Sequence, residues 1–170
     1  MKPPLLGGIV ALVVVLVDQI AKIAVLSRSD RLASDSEPLT PFLDLTLRWN
    51  RGISFSLFAR DSASAEAALL AVTVAATALL AWWLFRSRSG LAAVGLGLII
   101  GGALGNAVDR IVHGAVVDYL DLHAFDRHFF VFNLADAAIN IGVALLIVDL
   151  LTIPRAPDSR NQRNPPHGAS

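Results

Sequence analysis

The chain has 170 residues, of which 55% are hydrophobic and 16% are charged, and its mean hydropathy is +0.61. A composition this apolar predicts a membrane protein and excludes an ordinary soluble domain. Fourteen basic and fourteen acidic residues cancel, so the net charge does not favour nucleic acid as a partner. The absence of cysteine excludes disulfides, thiolate metal ligands and a cysteine nucleophile, so any catalysis must use oxygen or nitrogen groups.

Four apolar segments, residues 5–26, 63–85, 90–112 and 130–153, are each long enough to cross about 30 Å of hydrocarbon as a helix. We predict four transmembrane helices, with both termini on one side because the number of spans is even. Polar residues interrupt the first segment, so we interpret it as a retained helix and not as a cleaved signal peptide. With the termini inside, basic residues are equally frequent on the two sides, and only the Arg-rich turn at residues 86–90 favours that orientation.

A strand is predicted between the first two helices, because residues 42–49 alternate between apolar and polar side chains. A turn-like Asn50-Arg51-Gly52 follows, and the alternation at residues 53–57 predicts a second strand. We interpret residues 113–128 as a polar loop in which solvated side chains are the default. The proline-rich residues 154–170 have little to bury, which predicts disorder.

Polar side chains inside the predicted helices are expensive, since an ionisable residue there costs on the order of 2.5 to 3.5 kcal/mol on insertion scales. On the third helix, Asn106 and Asp109 share a face that we expect to point inward. Asp109 precedes Arg110, so an ion pair marking the helix end is an equally good interpretation. On the first helix, Asp18 and Lys22 stand at i and i+4, which favours a structural pair over catalysis.

On the fourth predicted helix, Asn133, Asp136 and Asn140 form one polar stripe, and Asp136 is the hardest to explain by structure alone. The preceding polar loop contains Asp118, Asp121 and Asp126, so a carboxylate of that loop can lie near Asp136 at one face of the membrane. Two close carboxylates repel each other, so one keeps a proton while the other ionises. The ionised group can take a proton from water while its partner donates to a carbonyl oxygen, which is the chemistry of peptide hydrolysis.

The residues alone leave other functions open. Buried Asp and Asn on facing helices also mark ion paths in transporters, although inverted-repeat symmetry is missing here. A scaffold held together by interhelical hydrogen bonds is a third interpretation. Neither an HExxH nor a GxSxG motif is present, so zinc and serine hydrolysis lack candidates.

Five motifs in chain order resemble the lipoprotein signal peptidases, also called signal peptidase II. They are Asp18-Gln19-Ile20-Ala21-Lys22 for DQxxK, Asn50-Arg51-Gly52-Ile53-Ser54-Phe55 for NxGxxF, residues 101–110 for GGxxGNxxDR, residues 114–119 for GxVVD(F/Y), and Phe132-Asn133-Leu134-Ala135-Asp136 for FNxAD. Each motif is weak by itself, but five in this order over four predicted spans are highly specific. Two positions depart from the family pattern: Ile53 stands where a small residue is usual, and Ala137 where Ser is common.

The resemblance implies an all-α membrane protein with four transmembrane helices and a small extracytoplasmic β-sheet. It implies a bacterial plasma (inner) membrane location with both termini cytoplasmic, and Asp118 and Asp136 as a catalytic pair at the extracytoplasmic face. The family's supporting or substrate-binding places fall on Asp18, Lys22, Asn50, Gly52, Asn106, Asp109, Arg110 and Asn133.

The implied activity is that of an aspartic endopeptidase, which removes the signal peptide from diacylglyceryl-modified prolipoproteins by cutting N-terminal to the lipidated Cys. These substrates and membrane lipid are the implied partners, and neither nucleic acid, metal nor cofactor is expected. We expect a monomer with one peptidase domain at residues 1–153 and a disordered cytoplasmic tail at residues 154–170.

Overall fold

The computed structural model describes residues 1–52, 63–124 and 127–152. Its helices are α1 (Pro3–Leu26), the short α2 (Ser29–Leu32), α3 (Ala63–Arg86), α4 (Gly90–His113) and α5 (Leu134–Thr152). The four long helices are long and apolar enough to cross a membrane, which confirms the prediction of four spans. The predicted second strand at residues 53–57 and the tail at residues 154–170 lie outside the described residues.

Helix α4 is the centre of the bundle, because it packs against α1 on one side and α5 on the other. Glycines make this close approach possible. A Cβ on Gly101 would lie 2.6 Å from the Ala11 carbonyl oxygen of α1, and a Cβ on Gly102 would meet the Ala135 carbonyl oxygen of α5. Small residues that let helix backbones approach are a common basis of helix packing in membranes.

The four strands form one antiparallel sheet in the order β1-β2-β3-β4. Their bounds are β1 (Glu37–Thr40), β2 (Leu43–Asn50), β3 (Val116–Ala124) and β4 (Arg127–Phe132). Strand β2 confirms the strand predicted from the alternation at residues 42–49. The sheet packs on the end of α1 through an apolar cluster that includes Val25, Leu47, Val117 and Tyr119.

The interpretation of residues 113–128 as a polar loop was wrong, because this segment contains all of β3 and the start of β4. The polar residues misled the assignment, since several of them are paired and not solvated. Asp121 is buried, and one of its carboxylate oxygens lies 2.8 Å from Nδ1 of His128. His123 Nε2 lies 3.1 Å from Oδ1 of Asp44 on the neighbouring strand β2.

The last span begins at Leu134, so the predicted start at residue 130 was also wrong. Phe130 and Phe132 are apolar enough to extend a membrane segment, but both belong to β4 and pair with β3. Asn133 separates the strand from the helix. The side chain of Asn133 accepts a hydrogen bond from the Asp136 N–H at 2.9 Å, as the N-cap of a helix does.

Candidate active site

Two carboxylates meet where the sheet joins the helical bundle. Asp118 lies on β3, and not in a loop as expected, and it is only 3% exposed. Asp136 lies in the first turn of α5 and is half-buried. It borders a groove of about 470 Å³ that is otherwise lined by apolar side chains and by Asn140. A molecule in this groove can therefore reach Asp136 directly.

Asn133 joins the two carboxylates. Its side-chain amide donates to Asp118 Oδ1 at 2.7 Å, and its backbone N–H donates to Asp136 Oδ2 at 3.2 Å. The return bond from the Asp136 N–H to Asn133 Oδ1 completes a reciprocal capping box at the start of α5. The same residue thus ends β4, begins α5 and sets the spacing of the pair.

Asn106 on α4 supports the other oxygen of Asp136, to which its amide donates at 2.8 Å. The side-chain oxygen of Asn106, Oδ1, accepts from the Asn133 amide at 3.1 Å and from Lys22 Nζ at 3.0 Å. Two asparagines therefore form a continuous hydrogen-bonded bridge between Asp118 and Asp136. The inward face predicted for Asn106 and Asp109 is confirmed, since both residues are buried.

Lys22 is the buried cation at the base of the site, with a side chain only 2% exposed. Its ammonium lies 2.8 Å from Asp18 Oδ2 and 2.7 Å from Asp109 Oδ2, and it donates to Asn106 Oδ1. The three protons of the ammonium thus have three acceptors. The pairing of Asp18 with Lys22 is confirmed. The ion pair between Asp109 and Arg110 was wrong, because Asp109 pairs with Lys22.

The two carboxylates beside Lys22 also hold the backbone next to the candidate catalytic pair. Asp109 Oδ2 accepts from the N–H of Val117, the residue before Asp118, at 3.0 Å. Asp18 Oδ1 accepts from the N–H of Ala135, the residue before Asp136, at 3.0 Å. One buried cation is therefore linked, through one carboxylate each, to the two segments that carry the pair.

Asn50 fixes the remaining oxygen of Asp118, since its amide donates to Asp118 Oδ2 at 2.9 Å. Its own Oδ1 accepts from the N–H of Gly52 at 2.9 Å, which closes a local turn. Gly52 has a φ of 75°, a left-handed conformation that favours glycine. The turn thus orients the Asn50 amide towards Asp118 and explains the requirement for Asn and Gly at this spacing.

The surroundings of Asp118 raise its pKa. Burial raises the pKa of Asp118 above its ordinary value, the hydrogen bond from Asn50 lowers it, and the negative charge of Asp136 raises it again. The hydrogen bond from Asn133 and the more distant charge of Lys22 oppose the rise, and the resulting direction is upward.

Three side chains have surroundings that the sequence does not predict. Asn140 is exposed, and its amide donates to the Asp136 carbonyl oxygen, so it does not complete an inward polar stripe. Arg110 lines a separate cavity of about 220 Å³ together with Asn50, and its guanidinium donates to the Asn106 backbone carbonyl oxygen at 3.4 Å. The sequence predicts no contact for Gln19 beyond its place in a motif. Its amide donates to Asp109 Oδ1 at 3.0 Å.

Metal-binding residues would have to come from the same polar groups. Within residues 1–52, 63–124 and 127–152, no three or more His, Asp or Glu side chains are arranged to hold a metal ion. The four carboxylates of the candidate site accept hydrogen bonds from side-chain amides, from the Lys22 ammonium and from backbone N–H groups.

Comparison with known proteins shows which family contains this chain. The family described as signal peptidase (SPase) II matches residues 10–152, which include the whole network from Asp18 to Asp136. The chain belongs to the signal peptidase II family. A lipoprotein signal peptidase of Beijerinckia indica is 46% identical over 163 residues, 94% of this chain and 98% of the relative. Another, from Nitrobacter hamburgensis, is 47% identical over 151 residues, 86% and 92% of the two chains.

Solved structures agree with the family assignment. One bacterial membrane enzyme superimposes with a TM-score of 0.75 at 28% identity, over 87% of this chain and 94% of its own. A second has a TM-score of 0.71 at 26% identity, over 96% and 93% of the two chains. The resemblance drawn from five motifs is thus confirmed, and so is the fold of four membrane helices with a small antiparallel sheet.

Proposed function

We propose that this protein is an intramembrane aspartic endopeptidase that removes the signal peptide from diacylglyceryl-modified bacterial prolipoproteins, cutting N-terminal to the lipidated Cys. Asp118 and Asp136 are its catalytic pair. The observation that carries the proposal is the bridge through Asn133, which links buried Asp118 to Asp136 at the groove in a chain of the signal peptidase II family. The other polar residues of the network are positioning residues.

Hydrolysis begins with one carboxyl of the pair protonated and the other ionised. The ionised carboxylate takes a proton from a water molecule, whose oxygen bonds to the scissile carbonyl carbon. The protonated carboxyl gives its proton to the carbonyl oxygen, so the tetrahedral intermediate is neutral. As the C–N bond breaks, the carboxyl that took the water proton passes it to the leaving nitrogen. The other carboxyl regains its proton from the intermediate hydroxyl, which restores the pair.

The pair is proposed to lie at the extracytoplasmic face of the membrane. The sheet follows the C-terminal ends of α1 and α4 and precedes α5, so the site belongs to one end of the bundle. The opposite end contains the short connection between α3 and α4, with Arg86 at the end of α3 and Arg88 in the connection itself. Basic residues in short connections favour the cytoplasmic side, which supports cytoplasmic termini.

Lipid is proposed to act as the positioning group of the substrate. Two acyl chains anchor a peptide at the membrane boundary more firmly than one, and the pair reaches only a peptide held at its own depth. Binding energy from a remote part of the substrate can align the reacting groups, so loss of the lipid should lower kcat as well as affinity. We further propose a monomer with one peptidase domain at residues 1–153 and a dispensable tail at residues 154–170.

The test incubates the purified protein in detergent with a diacylglyceryl-modified prolipoprotein and with its unmodified counterpart. Cleavage N-terminal to the modified Cys, and negligible cleavage of the unmodified protein even at saturation, are expected. Asp118→Asn and Asp136→Asn should each abolish cleavage, whereas Asp30→Asn on α2 serves as a matched control because that residue is exposed. Retention of most activity by either dyad variant would remove the assignment, and equal maximal rates on the two substrates would remove the role of lipid.

A further inference from the structure

Strand β4 is an outer edge of the sheet. It pairs with β3 on one side, and within the described part of the chain no strand pairs with its other side. The first four of its six residues are exposed. An edge strand presents a row of backbone N–H and C=O groups that another extended chain can bind.

This edge leads directly into the candidate active site. β4 ends at Phe132, and Asp136 follows four residues later in the first turn of α5. Phe130 and Phe132 have ring centroids 5.5 Å apart and line the groove that Asp136 borders. An extended peptide along the outer side of β4 would therefore pass the groove and arrive at the pair.

Hydrolysis of the substrate requires an extended peptide backbone at the scissile bond. A peptide carbonyl inside a helix is used in an internal hydrogen bond, so the segment around the scissile bond must be extended when water attacks. Extended backbone at a membrane boundary has N–H and C=O groups that need partners, since leaving them unpaired in apolar surroundings is costly. The edge of β4 can supply those partners at the required place.

We propose that the outer edge of β4 binds the substrate segment next to the scissile bond as a fifth strand, with alternate side chains entering the groove at Phe130 and Phe132. This inference rests on the proposed function, because it names how the same site holds its peptide. Strand addition gives affinity through main-chain hydrogen bonds, and the pleat directs every second side chain into the groove.

The first test uses photo-cross-linking and needs no cleavage. Benzoylphenylalanine replaces Phe129 on β4 or Leu39 on β1, the opposite edge, where the two native residues are 60% and 52% exposed. Each is introduced into the Asp118→Asn protein and irradiated with the diacylglyceryl-modified peptide. Cross-links to the peptide from the β4 position, and few from the β1 position, are expected. Equal yields from both positions, or cross-links only to lipid or detergent, would overturn the proposal.

The second test scans the peptide backbone with the wild-type protein. Each residue on either side of the scissile bond is N-methylated in turn, and the same positions are also changed from amide to ester, which removes the donor without adding bulk. On one side of the bond, alternate positions should lose about tenfold in kcat/KM, and the positions between them should change less than about twofold. A uniform loss, or no loss, contradicts strand addition.

The two tests separate this inference from the proposed function. Cleavage of the parent peptide without cross-links at β4 would reject strand addition and leave the peptidase intact. Cross-links at β4 to a parent peptide that the wild-type protein never cleaves would reject the peptidase and keep the binding edge.

Discussion

Asn133 and Asp136 hydrogen-bond to each other in both directions across the first turn of α5, at 2.9 and 3.2 Å. Asn133 simultaneously donates to Asp118 at 2.7 Å. A helix cap, which is ordinarily a device of stability, is here also the link between two candidate catalytic groups. Stability and activity at this position can therefore be separated by the choice of substitution.

Asn133→Ala removes both the cap and the link, so it should lose about 1 to 2 kcal/mol of stability and most of its activity. Asn133→Ser keeps a good capping side chain but has no amide to reach Asp118. We expect it to recover much of the thermal stability in detergent while cleavage stays low. Thr152→Ala, at an exposed position at the far end of the same helix, is the control. Full activity in the Ser variant would show that the link to Asp118 is not needed.

Lys22→Met should be strongly destabilising, because it leaves the buried carboxylates of Asp18 and Asp109 with no opposite charge between them. Breaking a buried ion pair by removing one partner costs about 3 to 5 kcal/mol. The double variant Lys22→Met with Asp109→Asn removes one of the stranded charges and should regain part of that loss. Unfolding curves in detergent, with the exposed Lys2→Met as control, measure both effects. A single variant as stable as the control contradicts the account.

Gly105→Ala should impair cleavage through Asp18. A Cβ at this position would lie 2.6 Å from Asp18 Oδ2, and the other oxygen of that carboxylate holds the N–H of Ala135 beside Asp136. Overpacking of this kind costs about 1 to 3 kcal/mol, and the shift would reach the start of α5. Gly90→Ala is the matched control, because nothing lies within 4 Å of a Cβ there. The prediction fails if the two variants have the same thermal midpoint and turnover.

The pH dependence of stability should carry the signature of Asp118. Burial raises the pKa of Asp118, so the folded protein holds this proton more tightly than the unfolded chain does. The contribution to the free energy of unfolding is fully present below the ordinary carboxyl pKa and is lost as the pH rises through the raised value. In Asp118→Asn the thermal midpoint should fall less over that window, whereas Asp30→Asn should follow the wild type. Parallel curves for all three proteins would contradict the direction of the shift.

The membrane helices were accessible from the sequence because an apolar run of this length has few alternatives. The polar loop predicted at residues 113–128 was wrong, since polar residues that pair across strands resemble solvated ones when each is considered alone. Asp121 shows the difficulty, because its partner His128 lies on the next strand and is found only once the hairpin is known. The predicted start of the last helix was wrong because of apolar residues and not polar ones: Phe130 is as suitable for a strand as for a membrane helix.

The candidate pair itself followed from motif positions, but its connections did not. Spacing along α4 placed Asn106 and Asp109 on one face, which the structure confirms. Residue spacing does not predict the hydrogen bond from the Val117 backbone to Asp109. Nor does it predict the bond from the Ala135 backbone to Asp18, since these two residues are 117 positions apart. Such contacts depend on the final docking of helices and sheet, so a pattern within one element cannot reveal them.

The long-range partners of Lys22 also constrain the order in which the chain is assembled during synthesis. When α1 enters the membrane, Asp18 is the only one of its three acceptors that has been made, because Asn106 follows 84 residues later. Until α4 arrives, the remaining ammonium protons must be satisfied by water or lipid headgroups. The carboxylates of Asp109 and Asp18 also hold the backbone beside Asp118 and Asp136. The nascent chain therefore has no organised carboxyl pair before the bundle closes. For a chain with the proposed catalytic pair, we expect no peptidase activity until insertion is complete.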